Sequence, residues 1–320
     1  MGRASMAGLS VGLVVMWSSG FIGGRLGTDT ASTAALMAWR FLVLVPILVL
    51  VGLAVAAARR RAVGPHSVRL SPKQWSRQAL LGVLSQVVYL GGVVGAIEYG
   101  VASGTSALVA ALQPLLAGAL AGPVLGERVV ARQWLGLAVG FCGVLLVVGG
   151  DVDGGGAPLW AYALPFAGMV GLVAATLIEA RERHPIPLLE SMTVQCATSA
   201  TIFGVVAAAT GDLVGPSLAD GSFWAAVAWL VVFSTFGGYG FYWLTVRRVG
   251  ATHASALIYL TPPTTAVWAW AMFGEAVPTV GLVGFAVCAV GVALVLTVRR
   301  PPVPVAGDES RALDAVASRG

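Results

Sequence analysis

Asparagine is absent from the chain, so there is no N-glycosylation acceptor, and a single lysine, Lys73, stands against 18 arginines. Charge is also scarce: 10% of the 320 residues are charged, whereas soluble domains carry roughly a quarter. With 58% apolar residues there is too little polar surface to coat a globule, which excludes a soluble core. Three cysteines occur, Cys142, Cys196 and Cys288, each inside an apolar stretch and none in a CxxC or Cys/His cluster. That excludes a disulfide framework and a zinc site. No GxxxxGK[ST] loop is present, His66, His184 and His253 form no ligand cluster, and no paired-Asp metal motif lies within a span. Neither a cofactor nor a metal is implied.

What remains is apolar and long. A bilayer-spanning helix needs ~20 mostly apolar residues, because each rises ~1.5 Å across a hydrocarbon core of ~30 Å. Ten stretches fit, roughly 8–27, 32–57, 75–97, 101–125, 129–149, 159–180, 188–211, 223–246, 249–273 and 277–298. Their apolar runs are continuous rather than alternating, which predicts helices and not barrel strands. The expected fold is an all-α integral membrane protein.

The charges then sort by side. With the amino terminus in the cytoplasm, 17 of the 19 basic residues fall on the cytoplasmic face, while the opposite loops carry Asp29, Asp151, Asp153, Asp212 and Asp220 and no basic residue. This is the positive-inside bias, so the excess of 19 basic over 14 acidic residues reports topology and not a nucleic-acid partner. Both termini are expected in the cytoplasm, in a multi-pass protein of the cell membrane. Residues 1–7 form a short cytoplasmic start, 150–158 an outer linker, and 299–320, rich in Pro, small and charged residues, a disordered cytoplasmic tail. Arg25 and Arg40 are the two basic residues that topology does not explain.

A shift of 148 positions aligns the chain with itself: Leu112 with Leu260, Pro114 with Pro262, Gly126 with Gly274, Glu127 with Glu275 and Gly136 with Gly284. Two units follow, 8–149 and 159–298, of five spans each. An odd number of spans sends the second unit into the membrane from the opposite side. Ten helices in two inverted five-helix repeats make a transporter architecture, with a midplane site exposed alternately to each side.

Four segments also resemble a known family. WSSGFIGGR (Trp17 to Arg25), AWRFLVLVPILVL from Ala38, ASGTSALVAALQPLLAGALAGPVLGE ending at Glu127, and ASALIYLTPPTTAVWAWAMFGE ending at Glu275 are similar to spans one, two, four and nine of the EamA family of the drug/metabolite transporter superfamily. The chain departs from that pattern in having Arg25 where lysine is common, and in lacking a Trp-led start to its second repeat. The resemblance implies ten helices in inverted repeats around a central cavity, and an exporter as the direction of transport. Related members carry amino acids, other metabolites or drugs.

Several residues are candidates for contact with a small-molecule substrate. Pro114, Pro262 and Pro263 fall near the middle of spans four and nine, where proline removes a backbone donor and interrupts the helix. Interrupted helices at matching positions of two repeats point to a transporter's binding site. Gln113, Thr261 and Thr264 add polar groups at the same depth, and Trp17, Tyr89, Tyr239 and Tyr259 offer apolar walls with polar tips. Arg40 is buried in span two without an acidic residue at its depth, Glu98 being the nearest by topology. Either it receives a substrate carboxylate or it ties span two to its neighbours. A shift of 155 sets Gln195 of span seven opposite it.

Glu127 and Glu275 are expected to favour the N-terminus of the span each precedes. The Gly118, Gly122, Gly126 ladder and the Gly136, Gly140 pair are expected to permit close helix contact. The function that fits is secondary or passive export of small, amino-acid-like solutes. Efflux of cationic or amphipathic drugs is the alternative within transport, and a polytopic membrane enzyme the alternative outside it.

Overall fold

The computed structural model describes residues 3–63, 70–125, 131–154, 156–182, 186–213, 220–249 and 251–296. The expected tail 299–320, and Glu127 with Gly126, lie outside the described residues. The described chain forms helices α1 (Arg3–Thr28), α2 (Thr33–Val63), α3 (Pro72–Glu98), α4 (Ser103–Ala110), α5 (Gln113–Leu125) and α6 (Ala131–Gly154). After a single 3-10 turn at Leu159–Tyr162 come α7 (Ala163–Ala180), α8 (Leu188–Thr210), α9 (Gly221–Val249), α10 (Ala251–Ile258), α11 (Thr261–Phe273) and α12 (Thr279–Leu296). No strand occurs among the described residues. Among the described residues, eight helical stretches are long and apolar enough to cross a membrane. The other two expected spans correspond to α10 with α11, which are separated by a break, and to the shorter apolar helix α12.

Local chemistry sets several of these boundaries. Ser71 opens α3 with a capping box: its Oγ accepts from Gln74 N at 3.3 Å, its own N–H donates to Gln74 Oε1 at 2.9 Å, and Pro72 fills the first turn. Asp220 accepts from Phe223 N at 3.2 Å to open α9. Gly211, with φ at 82°, closes α8 in the left-handed conformation that a side chain would oppose.

The interruptions are the more telling feature. Helix α4 stops at Ala110 and α5 starts at Gln113; α10 stops at Ile258 and α11 starts at Thr261. Both breaks thus recur at the same 148-residue offset that relates the two halves in sequence. Pro114 sits second in α5, and Pro262 and Pro263 open α11, where the missing N–H has no helical acceptor to lose. Just before the prolines the backbone tightens to three-residue bonds, Leu112 N to Val109 O at 3.1 Å and Leu260 N to Leu257 O at 2.9 Å. The prolines therefore divide these helices rather than merely bending them. Helices α3 and α9 widen instead into π-helical turns over Val83–Val88 and Leu230–Gly238, again in matching register.

Two long seams hold the bundle. Helices α2 and α8 bury a cluster built around Phe41, Leu44, Leu48, Ala200, Phe203 and Ala207, with the Phe41 and Phe203 rings stacked 6.1 Å apart. Helices α6 and α12 meet through glycine: a Cβ on Gly143 would stand 2.6 Å from Cys288 N, and one on Gly284 2.6 Å from Gly143 O. Gly136 and Gly140 of the first half meet Gly291 of the second in the same way, so this close contact joins the two halves rather than helices of one, whereas nothing lies within 4 Å of a Cβ on Gly118. Gly118 therefore takes no part in the expected contact.

That contrast yields a test. Gly284→Leu forces the α6–α12 backbones apart and should cost about 1–3 kcal/mol or more, the usual range for overpacking. Gly118→Leu should cost far less. Thermal unfolding of both variants in detergent measures the difference.

Candidate functional site

Arg40 lies seven residues into α2, about 10 Å from Thr33 at 1.5 Å per residue, and is 5% exposed. Its Nη2 donates to Thr235 Oγ1 at 3.1 Å and to Ser234 Oγ at 3.3 Å, and its guanidinium carbon sits 5.5 Å from the centre of the Phe41 ring. Nε has no hydrogen-bond partner, and among the described residues no carboxylate forms an ion pair with Arg40. Glu98 is occupied elsewhere, accepting from Thr33 N at 2.8 Å at the start of α2. A buried guanidinium held by neutral hydroxyls keeps its full positive charge uncompensated.

Ser234 and Thr235 belong to the π segment of α9. The wider turn leaves carbonyls without their four-residue partners, and Thr235 Oγ1 donates to Leu230 O, five residues back, at 3.0 Å. One hydroxyl therefore secures the π turn and receives Arg40. Helix α8 approaches the π segment of α3 in the mirrored way: Ser199 Oγ donates to Gln86 Oε1 at 2.8 Å, and Gln86 Nε2 reaches Cys196 Sγ at 3.7 Å.

The segment from Trp17 to Gly20 organises the surrounding wall. Trp17 packs against Tyr239 and Tyr242, with ring centres 6.2 and 5.7 Å away. Ser18 Oγ donates to the Thr261 carbonyl at 3.4 Å, the Ser19 carbonyl accepts from Trp229 Nε1 at 3.0 Å, and Gly20 admits Ser234, whose Oγ would stand 2.9 Å from an added Cβ. Trp229 is half-buried and packs against Phe233 and Trp268, with ring centres 4.8 and 5.8 Å away. Tyr239 is 41% exposed.

Of the expected site residues, the structure brings Trp17 against Tyr239 and links Thr261, next to the buried Pro262, to Ser18; Arg40 bonds the π segment that precedes Tyr239, and Tyr89 packs on Phe21, Val93 and Ile97. Gln195 is engaged one turn away, its Nε2 donating to Gln78 Oε1 at 2.8 Å and to Ser191 Oγ at 2.9 Å in the seam between α3 and α8. Gln113 Nε2 donates to Thr176 Oγ1 on α7 at 3.0 Å. Tyr259 packs on the Leu108, Leu112, Val144 and Met169 cluster. Pro114 and Thr264 are half-buried, and Pro263 is exposed. Ser234 and Thr235 were not among the candidates; a hydroxyl pair in the middle of an apolar run, opposite the Ser85–Gln86 pair of α3, is the signal that marks them.

A second polar region lies where α1, α3, α6 and α11 end. There a cavity of about 570 Å³ is lined by Arg25, Asp29, Glu98, Asp151 and Glu275 among others. Its carboxylates are engaged with backbone amides: Asp151 accepts from Ala102 N at 3.1 Å and Glu275 from Ser103 N at 2.8 Å. Helix α4, which begins at this vestibule, is buried along its whole length.

Comparison with known proteins decides the class. The chain matches the EamA-like transporter family over residues 5–149 and again over residues 159–297. It belongs to that family. A protein of Streptantibioticus cattleyicolor named as a probable terminal-alkyne amino-acid exporter is 30% identical over 291 residues, 88% of this chain and 90% of that one. The Escherichia coli inner membrane transporter YedA, named as uncharacterized, is 24% identical over 307 residues, 93% of this chain and 94% of its own. A solved crystal structure with 18% identity superposes with a TM-score of 0.60 over 92% of this chain and 96% of its own, which shows the shared fold. This EamA-like chain is thus a multi-pass membrane protein of a transporter family.

The anchoring of Arg40 can be tested directly. Thr235→Val removes its shorter hydrogen bond and the hydroxyl that ties the π turn, and should cost about 1–3 kcal/mol in thermal unfolding. Thr201→Val, on an exposed hydroxyl bonded only to Ala197 O within its own helix, should be close to neutral.

Proposed function

We propose that this protein exports small, amino-acid-like solutes across the cell membrane by alternating access, with Arg40 receiving the substrate carboxylate. The observation that carries the reading is a buried cation whose described partners are all neutral. Placing such a charge in a bilayer costs ~2.5–3.5 kcal/mol on insertion scales. An incoming carboxylate offsets that cost and gains a charge-assisted bond to the free Nε. Trp17, Tyr239 and Tyr89 supply the apolar wall for a side chain, with Thr261 and Pro262 at the broken helix beside them. The relative named as a probable amino-acid exporter supports the same substrate class and direction.

The architecture proposed with it is ten spans in two inverted five-helix repeats, α10 with α11 and α12 completing the count. The paired breaks and paired π turns at a common offset support this reading, as does the double match to the family. The arginine distribution supports a cytoplasmic position for both termini. The vestibule then faces outward and is the exit mouth. The aromatic walls alone also suit amphipathic drugs, but a buried arginine disfavours cationic ones.

Counterflow in proteoliposomes tests the reading. Labelled amino acids should exchange, their decarboxylated amines should not, and Arg40→Gln should reduce amino-acid exchange by about two orders of magnitude or more, given the strength of charge-assisted bonds in a desolvated site. Equal exchange of acid and amine would overturn it. Substituting Pro262 and Pro263 by Ala should slow exchange more than it lowers unfolding temperature, because α11 would then run on into α10.

A further inference from the structure

The vestibule and the centre are separated by an ion-paired junction. Arg25, at the end of α1, sets its Nε 3.3 Å from Glu275 Oε1, pairs through Nη1 with Asp29, and lies over the Phe273 ring at 5.4 Å. Glu275, just past α11, turns both oxygens onto the first turn of α4, accepting from Ser103 N at 2.8 Å and Ser103 Oγ at 3.0 Å. Three segments from both halves of the chain thus converge on one carboxylate. Behind it α4 packs on α11 so closely that a Cβ on Gly104 would stand 2.8 Å from Ala266 Cβ.

We propose that Arg25, Glu275 and the amino end of α4 form a latch that closes the outward path, so that release of substrate requires the latch to open. This rests on the transport reading above and adds the residues that set its conformational equilibrium. Arg25 and Glu275 act on the gate; neither needs to touch substrate. The latch is favoured because the carboxylate combines an ion pair with two hydrogen bonds at the positive end of a helix. It can still open because Arg25 and Glu275 are 30% and 18% exposed and can each return to water.

Cysteine accessibility reads the gate without any substrate. In a background with Cys142, Cys196 and Cys288 replaced, Thr265→Cys places a thiol on α11, at a fully buried site whose hydroxyl has no partner to lose. A membrane-impermeant maleimide added from outside should label it slowly in the latched protein. Glu275→Gln should raise that rate about tenfold or more, since the latch bonds are charge-assisted. Arg25→Gln should raise it too, and Ser103→Ala, which keeps the backbone bond, by much less.

Rates unchanged in both Glu275→Gln and Arg25→Gln, with each variant eluting as a folded monodisperse species, would overturn the latch. Should one of the two fail to fold, the other decides alone, since each breaks the same contact from a different helix; if both fail, Glu275→Asp, which keeps the charge but shortens the reach, decides by the same rate. Failure of the transport reading looks different: wild-type proteoliposomes exchange no solute, whatever the labelling rates. Failure of the latch leaves wild-type exchange in place.

Discussion

In hydrocarbon no water is present to bond a stranded carbonyl or amide, and this constraint governs how the chain can be interrupted. Among the described residues the helices are interrupted four times, at two breaks and two π turns, and hydroxyls of the same helices bond carbonyls at the π turns. Thr235 bonds Leu230 O, and Ser85 bonds Leu81 O at 2.6 Å. Because those interruptions have to face protein, they draw α1, α2, α9 and α11 together, and the wall around Arg40 follows. The polar centre is thus a by-product of repairing the backbone, which then becomes available to a substrate.

Close approach is the second requirement. Hydroxyls reach foreign carbonyls only where helices come within a few ångströms, and the residues that permit this are small. Gly20 lets Ser234 in beside α1, and Gly143 with Gly284 brings α6 against α12. Lipid-exposed surface supplies no hydrophobic drive between helices, so packing and hydrogen bonding carry the association. Carboxylates do comparable service at the vestibule, where Glu98, Asp151 and Glu275 each accept a bond from a backbone amide at the start of a helix.

Much of this is legible in sequence because the bilayer simplifies the code. Continuous apolar runs, prolines at matched depth and a one-sided arginine distribution identified the helices, and the repeat offset anticipated both breaks. Proline by itself did not: Pro46 lies within the unbroken α2. The π turns left only a faint mark, a hydroxyl or amide pair in an apolar run.

Pairings across the fold were beyond one-dimensional reading. Glu275 was expected at the N-terminus of the helix that follows it and instead caps α4 in the other half. Glu98 was the nearest acid to Arg40 by topology and instead caps α2. Gln195, opposite Arg40 by offset, is taken up by Gln78 and Ser191. In each case the helix rotation that chooses a partner is set by packing.

The account rests on two halves that mirror one another across the membrane, and positions 148 residues apart should therefore lie on opposite sides. Ala131 at the start of α6 and Thr279 at the start of α12 are such a pair, and both are exposed. Single cysteines at each, probed in intact cells and in inverted vesicles with an impermeant maleimide, give the most direct answer. The account predicts that Ala131→Cys reacts only from the cytoplasmic side and Thr279→Cys only from outside; labelling of both from the same side would contradict it.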